Sequence, residues 1–263
     1  MTRRRPAALA VLAVVLLLGA CGRTDPSPAA SPSHPDGERV TGRVVVLAAA
    51  SLTETFTEIA DRFEREHPGT DVVLSFGGSS SLAQQVVAGA PADVFAAASP
   101  ATMSTVVQAG DATDPVVFAR NRLEIAVPPG NPGKVTGLAD FADSARTIAL
   151  CAPQVPCGAA ATQLFAAAGV QSAPDTLEQD VKAVLTKVEL GEVDAGLVYR
   201  TDVNAAGDAV QGIPVPEATR VVNDYPVAVL QDAPNPQAAR AFVELVRSTE
   251  GRAVLSKAGF DVP

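Results

Sequence analysis

The sequence has few of the side chains that usually hold metals or act as bases. Its 263 residues include no Trp, two His, two Met and three Cys, and aromatic residues make up only 4%. His34 lies in a Pro- and Ser-rich stretch and His67 in a charged turn, so neither has neighbours that could complete a site. Because zinc sites in proteins rely mainly on His and Cys, this composition argues against a zinc centre.

Positive charge is also scarce. There are 20 Lys and Arg against 29 Asp and Glu, a net charge of −9, which argues against nucleic acid as a partner. The acidity also argues against a long-range field that attracts anions, although it does not exclude a local anion site. Hydrophobic residues reach 47%, enough for a core built from Ala, Val and Leu, as is typical of α/β proteins.

The N-terminal segment predicts export rather than a folded element. A basic stretch, Arg3–Arg5, precedes an apolar run, Ala7–Leu18, that is too short to span a bilayer. The following LGAC sequence resembles a bacterial lipobox, which implies removal of residues 1–20 and lipidation of Cys21. The alternative is an ordinary signal peptide with a chance cysteine. We interpret residues 21–42 as the lipidated Cys and a flexible tether, because their Pro- and Ser-rich composition cannot bury enough surface to fold.

Two cysteines remain in the predicted mature domain, Cys151 and Cys157. Export to an oxidising compartment permits a disulfide between them. A metal site and a pair of simple buried thiols are the alternatives. We expect the disulfide, because the two thiols have no obvious metal-binding partners.

From residue 43 onward, short apolar runs alternate with amphipathic segments. Seven runs predict strands, at Val44–Ala48, Val72–Phe76, Val94–Ala97, Leu123–Val127, Ile148–Cys151, Ala195–Tyr199 and Val227–Leu230. Six segments predict helices, at 52–66, 81–89, 100–109, 158–168, 179–190 and 236–247. This alternation indicates parallel β-α-β units and therefore an α/β fold.

Four predicted helices begin with small residues directly after a strand or a tight turn. These starts are Ala48–Ser51, Gly77–Ser81, Val155–Gly158 and Asp180–Val181. A helix start exposes unpaired N–H groups and partial positive charge, so several aimed at one point would form an anion site without Lys or Arg. Simple capping is the alternative, since Ser51 with Glu54 and Ser81 with Gln84 fit the capping-box pattern.

Several motifs occur in an order that resembles the periplasmic molybdate-binding proteins of ABC transporters. They are AAASLTETFTEIADRFE, FGGSSSLAQQVVAGAPADVFAAA, APQVPCGAAA, DVKAVL with GEVDAGLVY, NDYPVAVL and GRAVLSKAGF, and together they span roughly residues 43–260. The resemblance implies a two-lobed periplasmic binding protein fold of type II, in which each lobe is a sheet flanked by helices. Lobe one would comprise 43–122 and 226–263, and lobe two 123–225.

The resemblance also implies a ligand shell at five positions: Ser51, Ser79, Cys157, Val181 and Tyr199. Both serines would donate through hydroxyl and backbone N–H, Cys157 and Val181 through backbone N–H, and Tyr199 through its phenol. Cys157 stands where the family often has Ala, a tolerable departure if only the backbone binds. For Tyr199, a buried strand-end side chain with a satisfied hydroxyl is the alternative interpretation.

The function implied is capture of molybdate or tungstate outside the membrane and delivery to an ABC transporter permease and ATPase. We expect a monomer on the outer face of the cell membrane, with no cofactor and no nucleic-acid partner. A binder of another oxyanion such as sulfate is one alternative, and an exported enzyme on a similar scaffold is another. Against an enzyme, the chain lacks H-E-x-x-H, G-x-S-x-G and a P-loop lysine, and no His lies near the predicted site.

Overall fold

The computed structural model describes residues 39–263. The predicted signal peptide 1–20, the lipid site Cys21 and most of the tether 21–42 lie outside the described residues. From residue 39 to 263, no helix is both long enough and apolar enough to cross a membrane.

Strands and helices alternate along the described chain, as the sequence predicts for an α/β protein. The strands are β1 (Gly42–Ala49), β2 (Thr70–Gly77), β3 (Val94–Ala96), β4 (Val116–Val127), β5 (Ile148–Cys151), β6 (Thr176–Glu178), β7 (Ala195–Tyr199), β8 (Gln211–Ile213) and β9 (Val222–Val229). The helices are α1 (Thr53–Glu66), α2 (Ser79–Val87), α3 (Pro100–Ala109), α4 (Pro156–Ala168), α5 (Val181–Glu189), α6 (Arg200–Ala206), α7 (Pro236–Arg247) and α8 (Thr249–Ala258).

The strands form a continuous mixed sheet in the order β2-β1-β3-β9-β4-β7-β5-β6, with β8 also paired to β4. β1 runs parallel to β2 and β3, and β5 runs parallel to β6 and β7, as the alternation of strands and helices predicts. The expectation of parallel pairing is wrong for β4 and β9. These two strands run antiparallel to each other, β4 also runs antiparallel to β7, and β9 also runs antiparallel to β3. Antiparallel pairs need no crossover helix, so a regular alternation pattern does not reveal them.

β4 connects the two halves of the sheet. Residues 116–122 pair with β9, whereas residues 123–126 pair with β7. The sequence predicts only the second of these stretches, because Arg120, Asn121 and Arg122 interrupt the apolar pattern. The predicted boundary between lobes one and two falls inside this strand, and the division into lobes stays a prediction.

The core combines small aliphatic side chains with a compact cluster of rings. On α1, Phe56, Ile59 and Phe63 are fully buried at helical spacing. Phe242 of α7 contacts both rings edge-on, at centroid distances of 6.0 and 5.5 Å. Burying a Phe or Ile side chain contributes about 1.5–3 kcal/mol, so this face holds α1 and α7 against the sheet.

Four elements, β6, β8, α6 and α8, are missing from the sequence-based prediction. β6 and β8 have three residues each and only partly buried or exposed side chains, so no apolar run marks them. α8 carries Gly251 in its first turn, where an added Cβ would collide with the carbonyl oxygens that end α7. The glycine lowers helix propensity but permits this close packing.

Candidate functional site

All five residues of the predicted ligand shell line one small pocket. The lining residues are Ala49, Ala50, Ser51, Gly77, Gly78, Ser79, Ala98, Val155, Pro156, Cys157, Asp180, Val181 and Tyr199. The cavity leaves only about 20 Å³ for the centre of a water-sized group. This space is close to what one or two water-sized groups need, so the pocket suits a small ligand rather than a peptide or a sugar chain.

The parallel pairing of β1 and β2 brings the two serines together. Ala49 pairs with Gly77, so the carboxyl ends of both strands reach the same edge of the sheet. Ser51 follows β1 in a 3-10 turn, and Ser79 begins α2. Both side chains are almost fully buried. Oγ of Ser79 accepts a hydrogen bond from the Ala98 N–H at 3.0 Å, which leaves the Ser79 proton available to the pocket.

The capping-box interpretation of Ser51 and Ser81 is wrong. The N-cap of α1 is Leu52, because Ser51 already belongs to the preceding 3-10 turn, and α1 has no side-chain cap. α2 begins two residues earlier than predicted, with Gly78 as its N-cap, so Ser81 lies inside the helix. Neither helix start receives a side-chain acceptor within the described residues. Their first N–H groups therefore remain open to a ligand.

Cys157 reaches the pocket from the opposite side, in the first turn of α4. A disulfide joins it to Cys151 at the end of β5, with the Cα atoms 5.7 Å apart. The neighbouring Gly158 lies so close to the Ala152 carbonyl that a Cβ would not fit. The loop from β5 to α4 is therefore tightly folded, which fixes the direction of the Cys157 N–H.

Val181 is the first residue of α5 and lines the pocket beside its N-cap, Asp180. The Asp180 carboxylate accepts a hydrogen bond from the Ala183 N–H at 3.0 Å. This carboxylate is the one acidic side chain on the pocket wall, and one of its two oxygens serves as the cap of α5. The Val181 N–H has no such side-chain partner and belongs to the open first turn of the helix.

Tyr199 ends β7 and is 1% exposed. Among the described residues, no atom completes a well-formed hydrogen bond with its hydroxyl. The side chains of Tyr225 and Asn223 lie close enough to influence this hydroxyl, and its role as a ligand donor stays a prediction. Burial raises the pKa of Tyr199 well above its ordinary value of 10.0, and the nearby Tyr225 raises it further. The phenol stays protonated and can donate.

No Lys, Arg or His stands among the pocket-lining residues. The nearby cation is Lys182, one residue after Val181, whose Nζ lies 2.7 Å from Glu54 and 3.3 Å from Asp202. This group joins α5 to α1 and α6, immediately behind the pocket. Burial raises the pKa of Asp202 from 3.8 to about 6, although the charge of Lys182 opposes the shift.

Sequence reasoning assigned no role to Tyr225 and Ala98, which support the pocket, and it interpreted Gly78 as part of a turn or of a close approach to the ligand. Tyr225 of β9 shares a 2.8 Å hydrogen bond with Ser51, and Ala98 holds Ser79. Gly78 packs against the Gln179 carbonyl, where a Cβ would clash. Tyr225 is one of only two tyrosines, and it lies in the NDYPVAVL motif, so its rarity was the available signal.

The pocket presents donors and hardly any free acceptor: first-turn N–H groups, two serine hydroxyls and a phenol. Such a set suits a small anion that carries no proton of its own. Within residues 39–263, no cluster of three or more His, Cys, Asp or Glu side chains could hold a metal ion. The arrangement is suited to binding an anion through hydrogen bonds.

Comparison with known proteins identifies related chains. The family model for bacterial extracellular solute-binding proteins matches residues 44–261. The molybdate-binding protein ModA of Mycobacterium tuberculosis is 42% identical over 248 residues, covering 94% of this chain and 93% of that protein. ModA of Escherichia coli is 32% identical over 240 residues, covering 84% and 90%.

Solved structures have the same fold. The periplasmic molybdate-binding protein of Azotobacter vinelandii superposes with a TM-score of 0.72 at 23% identity, covering 84% of this chain and 99% of that one. The sulfate-binding protein SubI of Mycobacterium tuberculosis gives 0.69 at 18% identity, covering 84% and 87%. These likenesses confirm the predicted α/β fold of type II periplasmic binding proteins.

Proposed function

We propose molybdate capture for this chain, which belongs to the family of bacterial extracellular solute-binding proteins. Relatives that are 42% and 32% identical over most of their length are molybdate-binding proteins, which supports the choice of ligand. Tungstate, which has the same charge and shape, is a second ligand under the same proposal. The family binds solutes, so we propose no catalytic role.

The observation that carries the proposal is the convergence of donor groups from several elements on one small pocket. Molybdate is a fully deprotonated dianion at neutral pH and needs donors only. Hydrogen bonds to a charged group contribute about 1.5–3 kcal/mol each. Several such bonds, after the costs of association, support affinities of about −8 kcal/mol or better, which corresponds to micromolar binding.

We further propose that the anion holds two lobes together. Ser51 and Ser79 would belong to lobe one (43–122 and 226–263), whereas Cys157, Val181 and Tyr199 would belong to lobe two (123–225). An anion that contacts both stabilises the closed form over the open one. The 2.7 Å ion pair between Glu54 and Lys182 supports closure, because it joins α1 to α5 beside the same pocket. An ABC transporter permease with its ATPase would then receive the closed, loaded protein.

Export and anchoring are part of the proposal. Removal of residues 1–20 and lipidation of Cys21 would hold the domain on the outer face of the cell membrane through the tether 21–42. Mass spectrometry of the native protein tests this step. We expect a mature chain that begins with a modified Cys21, and an unmodified chain that retains earlier residues would contradict anchoring.

Calorimetry tests the ligand. The purified protein is titrated with molybdate, tungstate, sulfate and phosphate under identical conditions. We expect one molybdate or tungstate per chain at micromolar affinity or better, and much weaker binding of the other two anions. Sulfate binding that exceeds molybdate binding would favour the alternative of a sulfate carrier. No heat and no shift in melting temperature with molybdate or tungstate at millimolar concentration would refute the proposal.

A further inference from the structure

Tyr225, on β9, lies directly behind the pocket without lining it. Its hydroxyl oxygen is 2.8 Å from Oγ of Ser51, and both side chains are buried. The ring packs edge-on against Tyr199 and Phe260, with centroids 5.9 and 5.3 Å away. This packing immobilises the ring, so the hydrogen bond to Ser51 has a fixed geometry.

The bond between Ser51 and Tyr225 can run in two directions, because each hydroxyl carries one proton. If Ser51 donates to Tyr225, the serine offers only lone pairs to the pocket. If Tyr225 donates to Ser51, the serine proton is free for the ligand. Burial raises the pKa of Tyr225 well above 10.0, so the phenol retains the proton that it would donate.

Ser79, the other serine of the pocket, has an equivalent support. Its Oγ accepts the backbone N–H of Ala98 at 3.0 Å, and a backbone N–H can only donate. The direction of that bond is therefore settled by chemistry, and the Ser79 proton is free for the ligand. The hydrogen-bond partner of Ser51 is a phenol rather than a backbone N–H, so the direction of this bond depends on Tyr225.

We propose that Tyr225 is a positioning and specificity-determining residue: its hydroxyl donates to Ser51 and directs the serine proton into the pocket. The inference rests on the proposed function and adds to it a reason for preferring fully deprotonated oxyanions. A ligand that carries a proton needs an acceptor in the pocket. One oxygen of the Asp180 carboxylate already caps α5, and the two directed serines present protons, so a protonated oxyanion finds no acceptor for its own proton at either serine.

A pair of double-mutant cycles tests the inference by calorimetry with molybdate. Tyr225→Phe should weaken molybdate binding about tenfold, because Ser51 loses its directing donor. In the Ser51→Ala background the same change should have almost no effect, since Tyr225 acts through Ser51. In the Ser79→Ala background, the matched control, the tenfold loss should persist. Equal losses in both backgrounds, or wild-type affinity in Tyr225→Phe, would overturn the proposal.

Selectivity provides a readout that a purely structural role would not change. At about pH 8 inorganic phosphate is mainly the singly protonated dianion, with the same charge as molybdate. Tyr225→Phe should lower the ratio of molybdate to phosphate affinity about tenfold, because the freed Ser51 hydroxyl can then accept the phosphate proton. An unchanged ratio would contradict the proposal. If wild-type protein binds no molybdate, the proposed function fails instead, so the two failures are distinguishable.

A spectroscopic experiment covers the case in which Tyr225→Phe does not fold. The chain has no Trp and two Tyr, so Tyr199→Phe leaves Tyr225 as its sole tyrosine. At saturating molybdate, the ultraviolet difference spectrum of Tyr199→Phe should show a shifted tyrosine band, because the bound dianion strengthens donation from Tyr225 through Ser51. The shift should vanish when Ser51→Ala is added. A shift that survives this second substitution would overturn the inference.

Discussion

Gly78→Ala should impair ligand binding without impairing the fold. Gly78 is the N-cap of α2, with φ −61° and ψ 124°, a conformation that alanine adopts freely. An alanine Cβ, however, would lie well under 3.0 Å from the Gln179 carbonyl oxygen in the segment that leads into α5. The obstacle is thus the approach of two separate segments across the pocket, and not local backbone strain.

The size of the effect follows from this contact. Real Cβ atoms essentially never come within 3.0 Å of such an atom, so the two segments must move apart until that distance is restored. Val181 lies two residues after Gln179, and its N–H would move away from the anion with it. Losing one charge-assisted bond of about 1.5–3 kcal/mol weakens binding by roughly ten- to a hundredfold.

Gly137→Ala, outside the pocket, is the control for this experiment. A Cβ at Gly137 would meet no atom within 4 Å and its backbone is extended, so we expect affinity within about threefold of wild type. Calorimetry with molybdate measures affinity, thermal melting of the ligand-free proteins measures the fold, and small-angle scattering with ligand measures closure. If Gly78→Ala binds molybdate as tightly as Gly137→Ala, the close approach of the Gly78 and Gln179 segments has no part in binding, and the reasoning is refuted.

Three further predictions concern the donors, the buried acid and the disulfide. Molybdate binding should weaken by about 1–3 kcal/mol in each of Ser51→Ala, Ser79→Ala and Tyr199→Phe, because each variant loses one donor. Val181→Ala keeps its backbone N–H and should change the affinity little. If calorimetry gives both serine variants the affinity of wild type, the proposed site is wrong. Burial raises the pKa of Asp202 from 3.8 to about 6. The free energy of unfolding of the wild-type protein should therefore fall by about 2–3 kcal/mol, relative to that of Asp202→Asn, as the pH rises through this window. A difference in unfolding free energy that stays constant with pH would contradict this expectation. Cys151 and Cys157 should resist alkylation in unreduced, denatured protein. Replacing both with Ser should lower the free energy of unfolding by about 2 kcal/mol, since the disulfide closes only a short loop. Peptide mapping that finds both thiols free would exclude the disulfide.

Much of the fold follows from local patterns. The strands at Ile148–Cys151 and Ala195–Tyr199 and the helices at 100–109 and 236–247 have the predicted bounds. Each is a continuous apolar run or an amphipathic stretch with a clear start signal, such as Ser99 and Asn235 at the N-caps of α3 and α7. Short or polar elements, such as β8, are held by their neighbours in the sheet, and local patterns cannot identify them.

The candidate site divides in the same way. Helix starts with small residues, combined with a family resemblance, identify the five pocket positions from sequence alone, because a helix start exposes its N–H groups wherever it lies in the fold. The supporting contacts join residues far apart in the chain: 174 positions separate Ser51 from Tyr225, and 128 separate Glu54 from Lys182. No local propensity encodes such a pairing.

The sequence by itself therefore determined the class of fold, the backbone donors and the absence of charged side chains among the five pocket positions, all of which are properties of short stretches. Only the tertiary structure decided that one oxygen of Asp180 caps α5, that Ser51 is hydrogen-bonded to a phenol and Ser79 to a backbone N–H, and that Gly78 must lack a side chain. These features arise because the order of strands in the sheet brings the ends of β1, β2 and β7 and the middle of β9 together, and burial there leaves each polar group a very small choice of partners.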